Sequence, residues 1–129
     1  MAAIKIISTK NAPAVVGPYS QALEVNGFVF CSGQIGIDPK TGGVDPSTER
    51  QTKQTLDNLH EVVKASGSDF NHVVKTTIYL TNMADYVKVN EIYTEYFPKN
   101  RPARATVAVA SLPRGVLIEI DAIAVLSNL

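Results

Sequence analysis

The sequence has a single cysteine, Cys31, and that excludes a disulfide framework. It has two histidines, His60 and His72, too few to assemble a zinc site of the usual kind. It has no excess of either charge. Twelve basic residues balance twelve acidic ones, and no basic stripe marks a nucleic-acid surface. No apolar run approaches membrane-spanning length. The opening M-A-A-I-K-I-I-S-T-K lacks the long apolar stretch of a secretory signal and the arginines of a mitochondrial presequence. A reducing, cytoplasmic setting is expected, with mitochondrial delivery by an unusual leader left open. There is no linker, low-complexity segment or solenoid-length repeat. The 129 residues are expected to form one domain, 1–129, around one core. With no net charge to repel a second copy, self-association is easy.

What is present alternates between the two secondary-structure periods. Residues 4–7 read as a strand. Residues 22–25 and 28–32 read as a hairpin closed by Asn26-Gly27, which suits the positive φ angles of a type I′ turn. The breaker-rich stretch 36–46 reads as a loop. The first helix is expected to start at Ser47 or Thr48, where Thr48 with Gln51 resembles a capping box. Leu56, Leu59, Val62 and Val63 form its apolar stripe, and Gly67 stops it. A strand is expected over 72–81. A second helix, capped by Asn82 and ended by Pro98, covers 83–97 with Val89, Ile92, Tyr93 and Tyr96 on its apolar side. Strands near 104–110 and 117–126 close the chain, joined by the turn at 112–115.

Two β-α-β crossovers follow, so part of the sheet is expected to be parallel. In the 72–81 strand, Val74, Thr76, Ile78 and Leu80 are expected to share one face, and Val73, Lys75, Thr77 and Tyr79 the other. Both helices are expected on one face of the sheet. The other face mixes charges with apolar groups and is expected to be covered by further copies of the chain. The last two strands are read as an antiparallel pair. Setting Val107 and Val109 opposite Ile118 and Ile120 then puts Arg104 and Thr106 on the same face as Glu119 and Asp121. A guanidinium there needs an anion. Either Glu119 pairs with it in an interface cluster, or a small anionic ligand fills the role, with Ala105 and Ala108 leaving room.

Eight stretches then point to a family. They are N-A-P at 11, G-P-Y-S-Q-A at 17, S-G-Q-I-G at 32, Q-T-L-D-N-L at 54, V-V-K-T-T at 73, V-N-E-I-Y at 89, P-A-R-A at 102 and I-E-I-D-A-I-A at 118. Occurring in order along nearly the whole chain, they resemble the RidA, or YjgF, family of enamine/imine deaminases. The resemblance implies a chorismate-mutase-like α+β fold, homotrimers, and active sites in clefts between subunits. It implies hydrolysis of 2-imino acids, such as 2-iminobutanoate and 2-iminopropanoate, to 2-oxo acids and ammonia, with no cofactor. It also implies a link to the pyridoxal-phosphate-dependent dehydratases that release those imines.

Carried over position by position, Arg104 matches the arginine that takes the substrate carboxylate. Glu119 matches the acid that holds the hydrolytic water. Tyr19 and Asn90 match cleft residues, and Ser32 and Gly33 line the site. Thr106 stands where many relatives have cysteine, so a thiol role does not apply there, while its backbone groups can still contact the ligand. Asp121 replaces a frequent glutamate. Cys31, His60 and His72 read as packing or surface groups, Arg101 as a rim charge and P-K-T-G-G at 39 as a turn. Two further readings stand beside the deaminase. One is an RNA-directed translation inhibitor or endoribonuclease, against which the charge balance counts. The other is a protein that binds 2-oxo acids without turnover.

Overall fold

In the computed structural model, which describes residues 2–128, six strands form one sheet ordered β1-β2-β3-β6-β4-β5. The strands are β1 (Lys5–Ile7), β2 (Ala22–Val25), β3 (Phe28–Ile35), β4 (Val73–Leu80), β5 (Ala103–Ala108) and β6 (Ile118–Val125). The helices are α1 (Thr48–Ala65) and α2 (Tyr86–Tyr96). All neighbours are antiparallel except β4 and β5. This is the α+β, mixed-sheet class expected. Among the described residues no helix is long and apolar enough to cross a membrane.

Local chemistry accounts for the elements. Asn26 and Gly27 both have positive φ (52° and 82°), and they turn β2 into β3 as the Asn-Gly pair requires. Ser47, rather than Thr48, caps α1 by accepting from the Arg50 N–H at 3.2 Å. Gln51 is thereby free for tertiary work. Its amide donates to the Asp45 carbonyl at 2.9 Å, and its oxygen accepts from the Leu117 N–H at 2.8 Å. Gly67, at φ 92°, ends the helix, with the Ser68 N–H returning to the Val63 carbonyl at 3.3 Å. Asn82 caps a short 3-10 turn, Met83–Asp85, by accepting from the Ala84 N–H at 2.9 Å, and α2 begins only after that turn.

Leu56, Leu59, Val62 and Val63 of α1 are fully buried. They pack with Val89, Ile92 and Tyr93 of α2 on the sheet face formed by Ile78, Leu80, Ile118, Ile120, Ala122 and Ala124. Each such aliphatic side chain contributes about 1.5–3 kcal/mol on leaving water. Both helices therefore cover one face, as expected. In β4 the alternation breaks: Val73 is buried and Val74 exposed, because a bulge between Val73 and Lys75 shifts the register against β6.

The expected closing hairpin does not form. β5 and β6 are not neighbours, because β4 lies between them. From α2 the chain enters β5 parallel to β4. Residues 109–117 then pass the end of β4, held by Val109 N–H to the Leu80 carbonyl (2.8 Å) and Thr81 N–H to the Leu117 carbonyl (3.2 Å). The registers fix the faces. Thr76 stands beside Arg104 and Ile78 beside Thr106, while Tyr79 stands beside both Val107 and Glu119, and Thr77 beside Asp121. Partners in register share a face. Arg104 and Thr106 are thus on the helix-covered face, and Glu119 and Asp121 on the open one. The sequence expectation that put them together is reversed, and Ala105 lies across the sheet from the guanidinium.

Candidate functional site

The residues singled out in the sequence fall into two groups on opposite faces of the sheet. The first lies on the helix side at the β5 edge. Arg104 and Asn90 line one cavity of about 360 Å³ with Tyr93, Thr94 and Pro102; Arg101 is at its rim. The Arg104 guanidinium donates to the Tyr86 hydroxyl at 3.1 Å. It also stacks over the Tyr93 ring, 4.9 Å from its centroid, with the Tyr86 ring at 5.7 Å. Among the described residues no carboxylate pairs with Arg104. The carboxylate partner considered in the sequence, Glu119, is on the other face. The Asn90 amide oxygen and the Thr106 hydroxyl are both buried here with no hydrogen-bond partner among the described residues. Thr106 shares Arg104's face, although it does not line that cavity.

The second group lies on the open face. Tyr19, Gly33 and Glu119 line a narrower cavity of about 140 Å³, walled by apolar groups such as Val15, Val16 and Ile35. α1 builds this half from below. Asn58 donates to the Ile35 and Ile37 carbonyls at 2.9 and 2.8 Å, and so holds the end of β3. Gln51 holds Leu117, two residues before Glu119. A Cβ on Gly33 would lie 2.1 Å from a Glu119 carboxylate oxygen, so only glycine lets the acid rest against the β3 backbone. The register irregularity between Cys31 and Gln34 exposes this stretch. Ser32 donates its hydroxyl to the Ser20 carbonyl at 2.6 Å and its N–H to the Gln21 carbonyl at 3.0 Å. It therefore pins the Gly17–Ser20 turn that carries Tyr19, and it is not among the residues lining this cavity. Burial, and then the charge of Asp121, push the Glu119 carboxyl above its ordinary range. Asp121 itself accepts from the Tyr79 hydroxyl at 3.0 Å.

The remaining candidates are structural. Cys31 is buried in the core, and burial pushes its thiol up to about 12. His60 packs edge-on against Phe70, and His72 pairs with Asp69 at 2.7 Å. Among the described residues no group of His, Cys, Asp and Glu is arranged to hold a metal ion. The sequence reading missed Tyr86 as an arginine partner and took Tyr93 as mere packing. It also missed Gln51 and Asn58, although polar residues set in an apolar helix stripe could have signalled them.

Comparison with known proteins covers most of the chain. A family described as Endoribonuclease L-PSP matches residues 9–126. The chain is 53% identical over 122 residues to the mouse protein named 2-iminobutanoate/2-iminopropanoate deaminase, covering 94% of this chain and 90% of the relative. It is 49% identical over 122 residues to the human protein of the same name, covering 94% and 89%. A Rid-family structure from Yersinia pestis superposes with a TM-score of 0.94 at 46% identity, covering 96% of this chain and 100% of that one. Escherichia coli TdcF with bound serine gives a TM-score of 0.92 at 38% identity, covering 95% and 99%. With the match spanning every element from β2 to β6, the chain belongs to the Endoribonuclease L-PSP family, that of the RidA/YjgF proteins.

Proposed function

We propose that this chain hydrolyses small 2-imino acids, 2-iminobutanoate and 2-iminopropanoate among them, to 2-oxo acids and ammonia, in a site that two copies complete together. The curated relatives at about 50% identity that carry the deaminase name support the reaction. A single observation carries the two-copy site. Arg104 and Glu119 lie on opposite faces of one sheet and line different cavities. The open face presents Phe28 (46% exposed), Phe30 (45%) and Val107 (41%) on the same side of the sheet as Glu119 and Asp121, a mixture that suits a second copy rather than water. A ring of three copies is the family's arrangement and closes such a head-to-tail contact. We take residues 1–129 as one domain of that assembly. Its cytoplasmic setting is part of the same proposal, and the buried free thiol of Cys31 is at ease in a reducing compartment.

The chemistry follows from the groups. The Arg104 fork takes the substrate carboxylate with two parallel hydrogen bonds, which lysine cannot reproduce. Glu119, from the neighbouring copy's open face, accepts a proton from water as that water's oxygen bonds to the imine carbon. The same proton passes to the nitrogen to give the carbinolamine. A second transfer then carries the carbinolamine hydroxyl proton to the amino nitrogen, so that the C–N bond breaks, the carbonyl of the 2-oxo acid forms and ammonia leaves. A carboxyl whose proton affinity is raised by burial suits both halves of this transfer. Tyr19 bonds the water or the nitrogen, Gly33 shapes the wall, and Ser32 holds the turn that carries Tyr19. Asn90 and Thr106 supply polar atoms on the anchor's side. The reaction needs a source of 2-imino acid, which pyridoxal-phosphate-dependent dehydratases provide. The zero net charge argues against an RNA-gripping surface.

The test generates imine with an amino-acid oxidase in the presence of a trapping amine. Wild-type protein should lower the trapped adduct; no decrease would refute the deaminase reading. Arg104→Lys and Glu119→Gln should each lose most of this activity. Co-expressed, the two variants should regain up to about a quarter of wild-type activity, since random mixing restores that share of two-copy sites. Mixed oligomers with no recovery would place both residues in the site of one chain.

A further inference from the structure

Resting on the reading of Arg104 as carboxylate anchor, we infer that Tyr86 and Tyr93 are positioning residues that hold its guanidinium in one orientation without consuming its charge. An arginine at a sheet edge has many rotamers to choose from. Here a closed circuit selects one. Thr76, wholly buried, is the register partner of Arg104 across the parallel β4–β5 ladder. Its hydroxyl bonds the Tyr93 hydroxyl at 2.8 Å. Tyr93 is itself in the core at 7% exposure, so its ring is a fixed platform. The guanidinium carbon sits 4.9 Å from that ring's centroid. From the outer side the Tyr86 hydroxyl accepts one N–H of Nη2 at 3.1 Å.

Tyr86, Asn90 and Tyr93 occupy one face of α2 at helical spacing, so a single rigid element presents all three. Both arginine partners are neutral. A carboxylate in their place would hold the side chain equally well, but it would cancel the charge meant for the substrate. The Tyr86 phenol is held below its ordinary range, first by the Asn90 amide and then by the Arg104 charge, which agrees with this packing. The remaining N–H groups of the fork stay free for a carboxylate.

The experiment compares Tyr86→Phe, Tyr86→Leu, Tyr93→Phe and Tyr93→Leu in the full chain. It measures kcat and KM on imine generated in situ, and the Kd of 2-oxobutanoate by calorimetry. Tyr86→Phe should raise KM and Kd together about three- to tenfold, the loss of one solvent-exposed hydrogen bond. Its kcat should stay within about twofold, because an interaction made equally in ground and transition states is removed. Tyr93→Phe keeps the platform and should have the smaller effect; Tyr93→Leu removes it and should raise both constants about ten- to thirtyfold. A merely structural role would lower the yield of active sites and leave Kd unmoved. If Tyr93→Leu does not fold, the half-exposed Tyr86 pair decides. Unchanged KM and Kd in both Tyr86 variants would overturn the inference. Wild-type constants in Arg104→Lys would instead overturn the anchor reading on which it rests.

Discussion

The two faces of the sheet divide the labour of this molecule. On the covered face, α1 and α2 bury Ile78, Leu80, Ile118 and Ile120 completely, and Arg104 finds its aromatic partners within the same chain. On the open face, Phe28, Phe30 and Val107 are half-exposed, on the same side as a carboxyl whose proton affinity is raised. One face is finished by intrachain packing and the other leaves apolar side chains exposed. Under the proposed function, groups drawn from both faces meet by way of an assembly, and the half-apolar face belongs to the active site.

The largest effect that can break this contrast comes from Phe30→Glu. A charge at the centre of the open face should leave the fold intact by circular dichroism, convert the assembly to single chains in sedimentation, and abolish turnover. A monomeric variant that stays active would sink the two-copy site. On the covered face, Leu59→Ala should cost about 2–5 kcal/mol in urea unfolding. It should leave KM unchanged below the melting range. Gly33→Ala tests the junction of the open face with its carboxylate. With 2.1 Å available to a Cβ, the Glu119 side chain must move. Turnover should fall about tenfold or more, with a smaller loss of stability of about 1–3 kcal/mol.

The smallest effect is electrostatic. Glu119 must be ionised to act as base, so kcat/KM should fall as pH drops through its raised pKa, at a pH above that of an ordinary carboxylate. Removing the Asp121 charge in Asp121→Asn lowers Glu119's proton affinity and should move that acid limb to lower pH. Burial, the larger cause, remains, so the shift should be less than about one pH unit. The stability linkage has the opposite sense to the usual carboxylate. A raised folded-state pKa favours the fold below the unfolded value, and that contribution is lost as pH rises through the folded value. Glu119→Gln should therefore remove a small decline in stability on the neutral side, seen in urea titrations at two pH values.

The sequence showed most of the elements because its periods are clean. Asn-Gly at 26–27, the α1 stripe, Gly67 and Pro98 each carry a local physical reason that no tertiary contact overrides. The alternation in β6 was also legible, since Ile118 and Ile120, set on one face by the sequence, are both buried. Cap choice was less so: Ser47 won over Thr48 because Gln51 was needed to hold Asp45 and Leu117. The candidate site residues came from the resemblance, and their relative placement was not legible. Val107 looked like a core residue and faces outward; Arg104 looked as if it shared a side with Glu119 and faces the helices.

By itself the sequence determined the order of strands and helices, the turns and the stripe of α1, and the resemblance supplied Arg104 and Glu119 as the proposed anchor and acid. Those depend on local propensity, on period and on the resemblance. Only the tertiary structure decided that β4 inserts between β5 and β6, and with it which face each side chain serves. Alternation along a strand fixes residues relative to one another, but the absolute face comes from the neighbour it bonds to, and a nine-residue passage from 109 to 117 leaves that choice to packing.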